Sequence, residues 1–247
     1  MNTVVLLKRV PDLVEDLEVD GSGRALVAEH LKLTLNEFDE HALEEALLLK
    51  EDGGGEVTVV ALDSADVDKM LFTALAKGAD RAIKVTGVGA VGGTRELAGV
   101  FSDVLGSISH DLVLTGVQAS DDVDGQLAPT VAANLGVPCI EVITGVEAGA
   151  GTVTVHKEYA GGVLGEFEMT LPGVLGIQAA RQSPRYAPVS RVRQIQESAT
   201  LDEVAGAGGG DGRFSIVVMT PPKAGEGAQM LDSVEELIAV LDSKGVI

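Results

Sequence analysis

Short runs that are apolar at every position alternate along this chain with longer stretches in which apolar residues recur every three or four positions. Thr3–Leu7 (TVVLL), Val57–Leu62 (VTVVAL) and Leu112–Thr115 (LVLT) are of the first kind, and Ala82–Val85 is a shorter one. A strand apolar on both faces belongs inside a parallel sheet covered by helices. The amphipathic stretches predict helices over Asp39–Glu51, Asp66–Lys77, Thr94–Ser109 and Gly125–Leu135. In the first of these, Phe38, Ala42, Leu43, Ala46, Leu47 and Leu49 form the apolar stripe, and Glu40, Glu44, Glu45 and Glu51 are expected to face water. Asn36 suits the N-cap, Glu37, Asp39 and Glu40 suit the positive end of the helix dipole, and the Gly53–Gly55 run should end the helix.

A β-α-β-α rhythm implies right-handed crossovers and a sheet whose ligands bind beyond the carboxyl ends of the strands. Three junctions are therefore of interest: Lys8–Asp12, Asp63–Asp66 and Gly116–Gly125. From about Ile140 the rhythm changes. Val153–Tyr159 and Glu166–Leu171, joined through Gly161-Gly162, predict an antiparallel hairpin at about 151–172, and Val174–Ile177 a further sheet strand. Ala205–Gly212 reads as a loop, Ser215–Thr220 as a late strand stopped by Pro221-Pro222, and Asp232–Lys244 as a short amphipathic helix. The expected architecture is α/β: a mostly parallel, doubly wound sheet in a domain over residues 1–200, with a hairpin insertion. A linker and helical C-terminal arm are expected over 201–247.

Composition narrows the chemistry. Hydrophobic residues make up 45% of the 247 residues, but aromatics only 3%, so the core must be built from Val, Leu, Ile and Ala. A net charge of -20 argues against nucleic-acid binding, which needs clustered cations. Acid spread over the whole chain, with few Lys and few aromatics, is the pattern of a salt-adapted (halophilic) protein. No apolar run approaches the roughly 20 residues of a membrane span. Met1-Asn2-Thr3 leads straight into an apolar strand without the marks of a signal peptide, so a cytoplasmic location is expected. Cys139, the single cysteine, reads as a small buried hydrophobe, and His30, His41, His110 and His156 form no nucleophile-and-base or metal pattern.

Two segments remain as candidate sites. Gly116–Leu127 (GVQASDDVDGQL) follows a buried strand and enters a helix, where backbone N–H groups can hold a phosphate. Asp121, Asp122 and Asp124 oppose an anion there unless they point elsewhere or bind ribose hydroxyls, so a ligand loop and a simple acidic helix cap both stay open. Asn36–Asp39 poses the same choice. The second segment, Arg181–Arg193, is basic in an acidic chain and holds Pro184, Tyr186 and Pro188. It is either a rigid surface loop or a docking element in which Val189 enters a partner's pocket.

These segments, in this order, resemble the electron-transfer flavoprotein beta family. Val5–Asp12 is similar to the family's V-x-V-K-x-V-P-D opening. Asn36–Glu40 with Ala42–Ala46 is close to its helix-start motif, and Thr73–Arg81 (TALAKGADR) to T-A-L-A-M-G-A-D-R. Gly116–Asp122 and Gln126 match its nucleotide loop apart from two positions, and Pro184-Arg185-Tyr186 matches P-R-Y. The resemblance implies an adenine-nucleotide-binding, Rossmann-like fold that pairs with an alpha subunit carrying FAD, and an electron carrier with no catalytic residue of its own. It implies an AMP pocket of Leu6, Asn36, Glu37, Phe38, Asp39, Leu62, Gly116, Val117, Gln118, Ala119, Ser120, Asp121, Asp122, Val123, Asp124, Gly125, Gln126 and Leu127. Leu13 and Phe38 would approach the flavin edge, and Arg185, Tyr186, Pro188 and Val189 would dock acyl-CoA or other dehydrogenases on the way to a quinone oxidoreductase. The late helix would embrace the alpha subunit. Val117 stands where a basic residue is common, and Glu37 where proline is usual. An electron-bifurcating relative holding a second FAD and oxidising NADH, toward which Pro184–Arg191 leans, is one alternative. A stand-alone nucleotide-binding stress-type protein is another.

Overall fold

The computed structural model describes every residue except Ala90, Gly92, Val123, 208–214, Ala224 and Glu226. The described chain forms two compact units: residues 1–17 with 28–215, and residues 18–27 with 216–247.

In chain order the first unit contains β1 (Thr3–Leu7), β2 (Arg9–Pro11), β3 (Leu33–Leu35), α1 (Glu37–Gly53), β4 (Val57–Leu62), α2 (Val67–Lys77), β5 (Arg81–Thr86), α3 (Thr94–Leu105), β6 (Leu112–Gly116), α4 (Leu127–Leu135), β7 (Cys139–Ile143), β8 (Gly145–Ala148), β9 (Thr152–Tyr159), β10 (Val163–Thr170), β11 (Gly173–Ile177), α5 (Val189–Ser198) and β12 (Asp202–Ala205). Seven strands form one sheet in the order β12-β5-β4-β1-β6-β11-β7. All its pairings are parallel. A doubly wound α/β sheet with an antiparallel insertion is therefore what the sequence pattern predicted.

The reason is visible strand by strand. Along β1, Val5 and Leu7 enter one core while Val4 and Leu6 enter the other. The first core lies under α1, α2 and the antiparallel strands β8–β10, and the second under α3 and α4 around Phe101. Removing both faces of such strands from water, at about 25 cal/mol per Å2 of apolar surface, drives the layering. The hairpin leaves Tyr159, Val163, Leu164 and Phe167 exposed at its outer end.

Several expectations are corrected. Glu44 and Glu45 do not face water: both are buried, because every position from Ala42 to Leu49 is. In the run ALEEALLL, about two turns long, only Glu44 and Glu45 are polar, so covering its apolar residues covers the glutamates as well. Arg181 and Arg185 supply the partners described below. α3 stops at Leu105, and α4 starts at Leu127 and not Gly125, whose φ of 58° is left-handed. Residues 189–198 are helical, and β7, β8 and β12 were not anticipated. The loop expected over Ala205–Gly212 lies partly outside the described residues.

In the second unit, Val19 and Leu26 form an antiparallel bridge around a turn in which Asp20 accepts the Ser22 N–H. The strand expected over Ser215–Thr220 is absent from the described structure: Ile216, Val217 and Val218 are exposed with no partner strand. α6 (Val234–Ser243) begins where Ser233 Oγ accepts the Glu236 N–H at 3.2 Å, a serine N-cap. Its apolar side, with Val234, Leu237 and Ile238, is exposed. Among the described residues no helix is long and apolar enough to cross a membrane.

Candidate strand-end nucleotide site

The carboxyl ends of β1 and β6 meet the start of α1 at one buried side chain. Asp39, 3% exposed, accepts the Lys8 N–H through Oδ2 and the Gly116 N–H through Oδ1, each at 2.8 Å. Lys8 follows β1 and Gly116 ends β6, so one carboxyl holds two sheet strands and a helix together. Burial pushes the Asp39 carboxyl up to about 7, against the pull of the two N–H groups, the Asn36 side chain and the Lys8 charge. Gly116 is required by this approach. A Cβ there would lie 2.5 Å from Asp39 Oδ1 and 2.6 Å from Phe38 Cβ.

Asn36 is the residue before α1, yet its side chain does not cap that helix. It reaches the other way, its Nδ2 donating to the Gln118 carbonyl at 2.9 Å. The loop after β6 is held at further points. Asp122 Oδ2 accepts the Ala119 N–H at 2.8 Å, and Lys8 Nζ lies 2.7 Å from Oδ1 of both Asp121 and Asp122. Thr94 Oγ1, at the start of α3, donates to Asp124 at 2.6 Å. Gly125 sits close over Gln118, where a Cβ would stand 3.0 Å from that residue's Cβ. α4 then begins with no side-chain cap at Gln126 and no acid in its first turn. Its first N–H groups are thus available to an acceptor other than the chain's own side chains.

The residues expected from the sequence fall as follows. Asn36, Asp39, Gly116, Gln118, Asp121 and Asp122 are brought together at the ends of β1 and β6. Leu6 and Leu62 belong to the core under α3 and α4, Leu62 closing β4. Glu37, Ser120 and Gln126 are exposed, Ala119 and Leu127 are buried, and Val117 and Phe38 are half-buried. Val123 lies outside the described residues. Leu13 is an exposed apolar residue beyond β2. One participant was missed, Thr94, and Lys8 was singled out only as the start of the junction after β1, without its partners. Lys8 was legible as part of a motif, but nothing in its spacing links it to aspartates more than a hundred residues later. Burial pushes the half-buried Cys139 thiol up to about 12, which keeps it protonated and unreactive. Among the described residues no group of His, Cys, Asp or Glu is arranged to hold a metal ion.

The same helix secures the basic segment. His41 Nδ1 accepts the Ala180 N–H, and Glu45 accepts both the N–H and Nε of Arg181, at 2.8 and 2.7 Å. Glu44 accepts the Arg185 N–H at 2.9 Å, its Nε at 3.0 Å and its Nη2 at 2.8 Å. Asp52 and Glu51, a further turn or two along α1, take the remaining arms of Arg181 and Arg185. Hydrogen bonds to Glu44 and Glu51 raise the pKa of Arg185 further above its ordinary value. Arg185 therefore faces α1, whereas Tyr186, Pro188 and Val189 stand exposed, with Val189 opening α5 behind Pro188.

Two outcomes follow. The folded-state pKa of Asp39 lies above its unfolded value of about 3.9, so its protonation favours the folded chain. That contribution is complete below the unfolded pKa and is lost as pH rises through about 7. Measured by urea denaturation, the stability of wild type relative to Asp39→Asn should rise as pH falls from about 8 to about 5. Removing Arg185 leaves the carboxylate of Glu44 buried and unpaired. Arg185→Ala should cost about 3 kcal/mol of unfolding free energy, and a change under about 0.5 kcal/mol would contradict the pairing.

Comparison with known proteins agrees with this geometry. Residues 25–205 match the electron transfer flavoprotein domain family. A protein of Methylophilus methylotrophus described as electron transfer flavoprotein subunit beta is 35% identical over 212 residues, covering 83% of this chain and 79% of its own. One of the same description from Clostridium acetobutylicum is 34% identical over 194 residues, covering 78% and 74%. A third, from Bradyrhizobium diazoefficiens, is 29% identical over 247 residues, covering 99% and 98%. With its parallel sheet and the motifs gathered at the strand ends, this chain belongs to the electron transfer flavoprotein family, among the beta subunits.

Proposed function

We propose that this chain is the beta half of a heterodimeric electron carrier and that its strand-end cleft holds AMP in a structural role. The observation that carries the reading is the uncapped start of α4 beside a loop fixed at both ends. Anions are stabilised at such a helix start by oriented N–H groups and the helix dipole, and no acid in the first turn of α4 competes. The amides of Gln118 and Gln126 suit the hydroxyls and ring nitrogens of a nucleoside, and the carboxylate of Asp124 suits a hydroxyl. The donor set fits a nucleotide.

FAD, bound with the alpha subunit, supplies the redox chemistry, and this chain supplies position and surroundings. Leu13, 68% exposed, and Phe38 supply apolar surface at the flavin edge. Tyr186, Pro188 and Val189 dock a dehydrogenase such as an acyl-CoA dehydrogenase. Arg185 and Arg181, drawn down onto α1, hold that ridge in one place. A preorganised ridge loses less entropy on docking than a free loop. Electrons then pass from the heterodimer toward a quinone oxidoreductase, and no residue of this chain acts as acid, base or nucleophile.

The test is to co-purify the chain with its alpha partner, denature the complex and quantify what is released. One FAD and one AMP per heterodimer are expected. Two FAD and no AMP would replace this reading with the electron-bifurcating one, and release of no flavin would contradict both.

A further inference from the structure

We propose that Lys8 is a positioning residue of the nucleotide cleft: its ammonium latches the loop after β6 and cancels carboxylate charge that would repel a phosphate. The proposal rests on the nucleotide reading of that cleft.

The loop presents an electrostatic problem. Gly116–Leu127 contains three aspartates and no Lys or Arg, and Val117 is uncharged. Carboxylates in the loop that leads into a phosphate-binding helix start disfavour the anion unless each is occupied. Here each is occupied. Asp124 accepts from Thr94, and Asp121 and Asp122 share the Lys8 ammonium at 2.7 Å each, while the second oxygen of Asp122 accepts the Ala119 N–H.

The latch is shielded as well as close. The Lys8 side chain is 23% exposed and that of Asp122 only 9%, so salt screens this pair less than a surface pair, while Asp121, at 39%, stands nearer to solvent. Burial alone draws the Lys8 pKa down, but its bonds to Asp121 and Asp122 outweigh that and the net shift is upward. The ammonium is therefore charged throughout the working pH range. Its backbone is fixed too, because the Lys8 N–H is one of the two donors held by Asp39 and the other belongs to Gly116, where the loop begins. Lys8 thus joins the start of the loop to its acidic turn. A cation just beyond β1 does the work for which the loop itself has no basic residue.

The experiment uses the full chain in complex with its alpha partner, stripped of nucleotide, with AMP and adenosine as probes in equilibrium dialysis. Lys8→Gln should weaken AMP binding by about tenfold or more, as expected for losing a charge-assisted contact in a shielded site. Adenosine, which lacks the phosphate, should lose less. Lys8→Arg, which keeps the charge, should stay within about threefold of wild type. Adding Asp121→Asn and Asp122→Asn to Lys8→Gln should restore most of the AMP affinity, a rescue that a general packing defect would not show. Wild-type affinity in Lys8→Gln, or no recovery in the triple variant, would overturn the proposal. If Lys8→Gln does not fold, Asp121→Asn with Asp122→Asn in the wild-type background decides. Freeing the ammonium should tighten AMP binding, and weaker binding would overturn the latch. A wild-type complex that takes up no AMP would bring down the nucleotide reading itself, and the role of Lys8 with it.

Discussion

The carboxyl of Asp39 sets the geometry on which the rest of the site depends. Two parallel strands end side by side, and parallel strands leave the N–H groups beyond their last pairing without sheet partners. Here the N–H groups of Lys8 and Gly116 at those ends converge on the two oxygens of one buried side chain from α1. The helix start is thereby held against the sheet top, so closely that residue 116 has no room for a side chain. Asn36, one turn earlier, turns away from its own helix to hold the Gln118 carbonyl. The loop after β6 thus leaves the sheet in a fixed direction before α4 begins.

From that anchor, α1 runs on to hold a second segment of the chain. At about 1.5 Å per residue, Glu44 and Glu45 lie roughly 8 Å along the axis from Asp39. There they hold Arg185 and Arg181. An isolated buried pair is weak support for stability, since removing both ions from water costs nearly what their attraction returns. It does fix position, because a planar guanidinium on a carboxylate tolerates little misalignment. The loop at the ends of β1 and β6 and the ridge of Tyr186, Pro188 and Val189 are accordingly fastened to the same helix, one at its first turn and the other beyond its second.

Much of the architecture was legible because the burial of β1, β4 and β6 is two-sided and their sequences say so. Gly53–Gly55 marked the end of α1 for the plain reason that Gly54 adopts a φ of 71°. What escaped was set by tertiary partners. Glu44 and Glu45 read as a polar face until Arg181 and Arg185, distant in sequence, were seen to neutralise them. α5 buries no residue fully, so its short stripe of Val189, Val192 and Ile195 carries little of the signal that marks a core-facing helix. β7 is interrupted by Val142 at a φ of 63°, where the register with β11 shifts by one. That bulge lets Ile143 face the same core as Ile140 and erases the alternation that would mark a strand. At the site, strand-end topology identified the Gly116–Gly125 loop and the Lys8–Asp12 junction, but not the ion pairs that join Lys8 to Asp121 and Asp122.

The account is tested most directly by where AMP acts on the heterodimer. Hydrogen–deuterium exchange with and without AMP should show slowed exchange at the amides of residues 36–39 and 116–128, with the sheet interior unchanged. Protection confined to other segments, or none at all, would contradict a nucleotide cleft at the ends of β1 and β6.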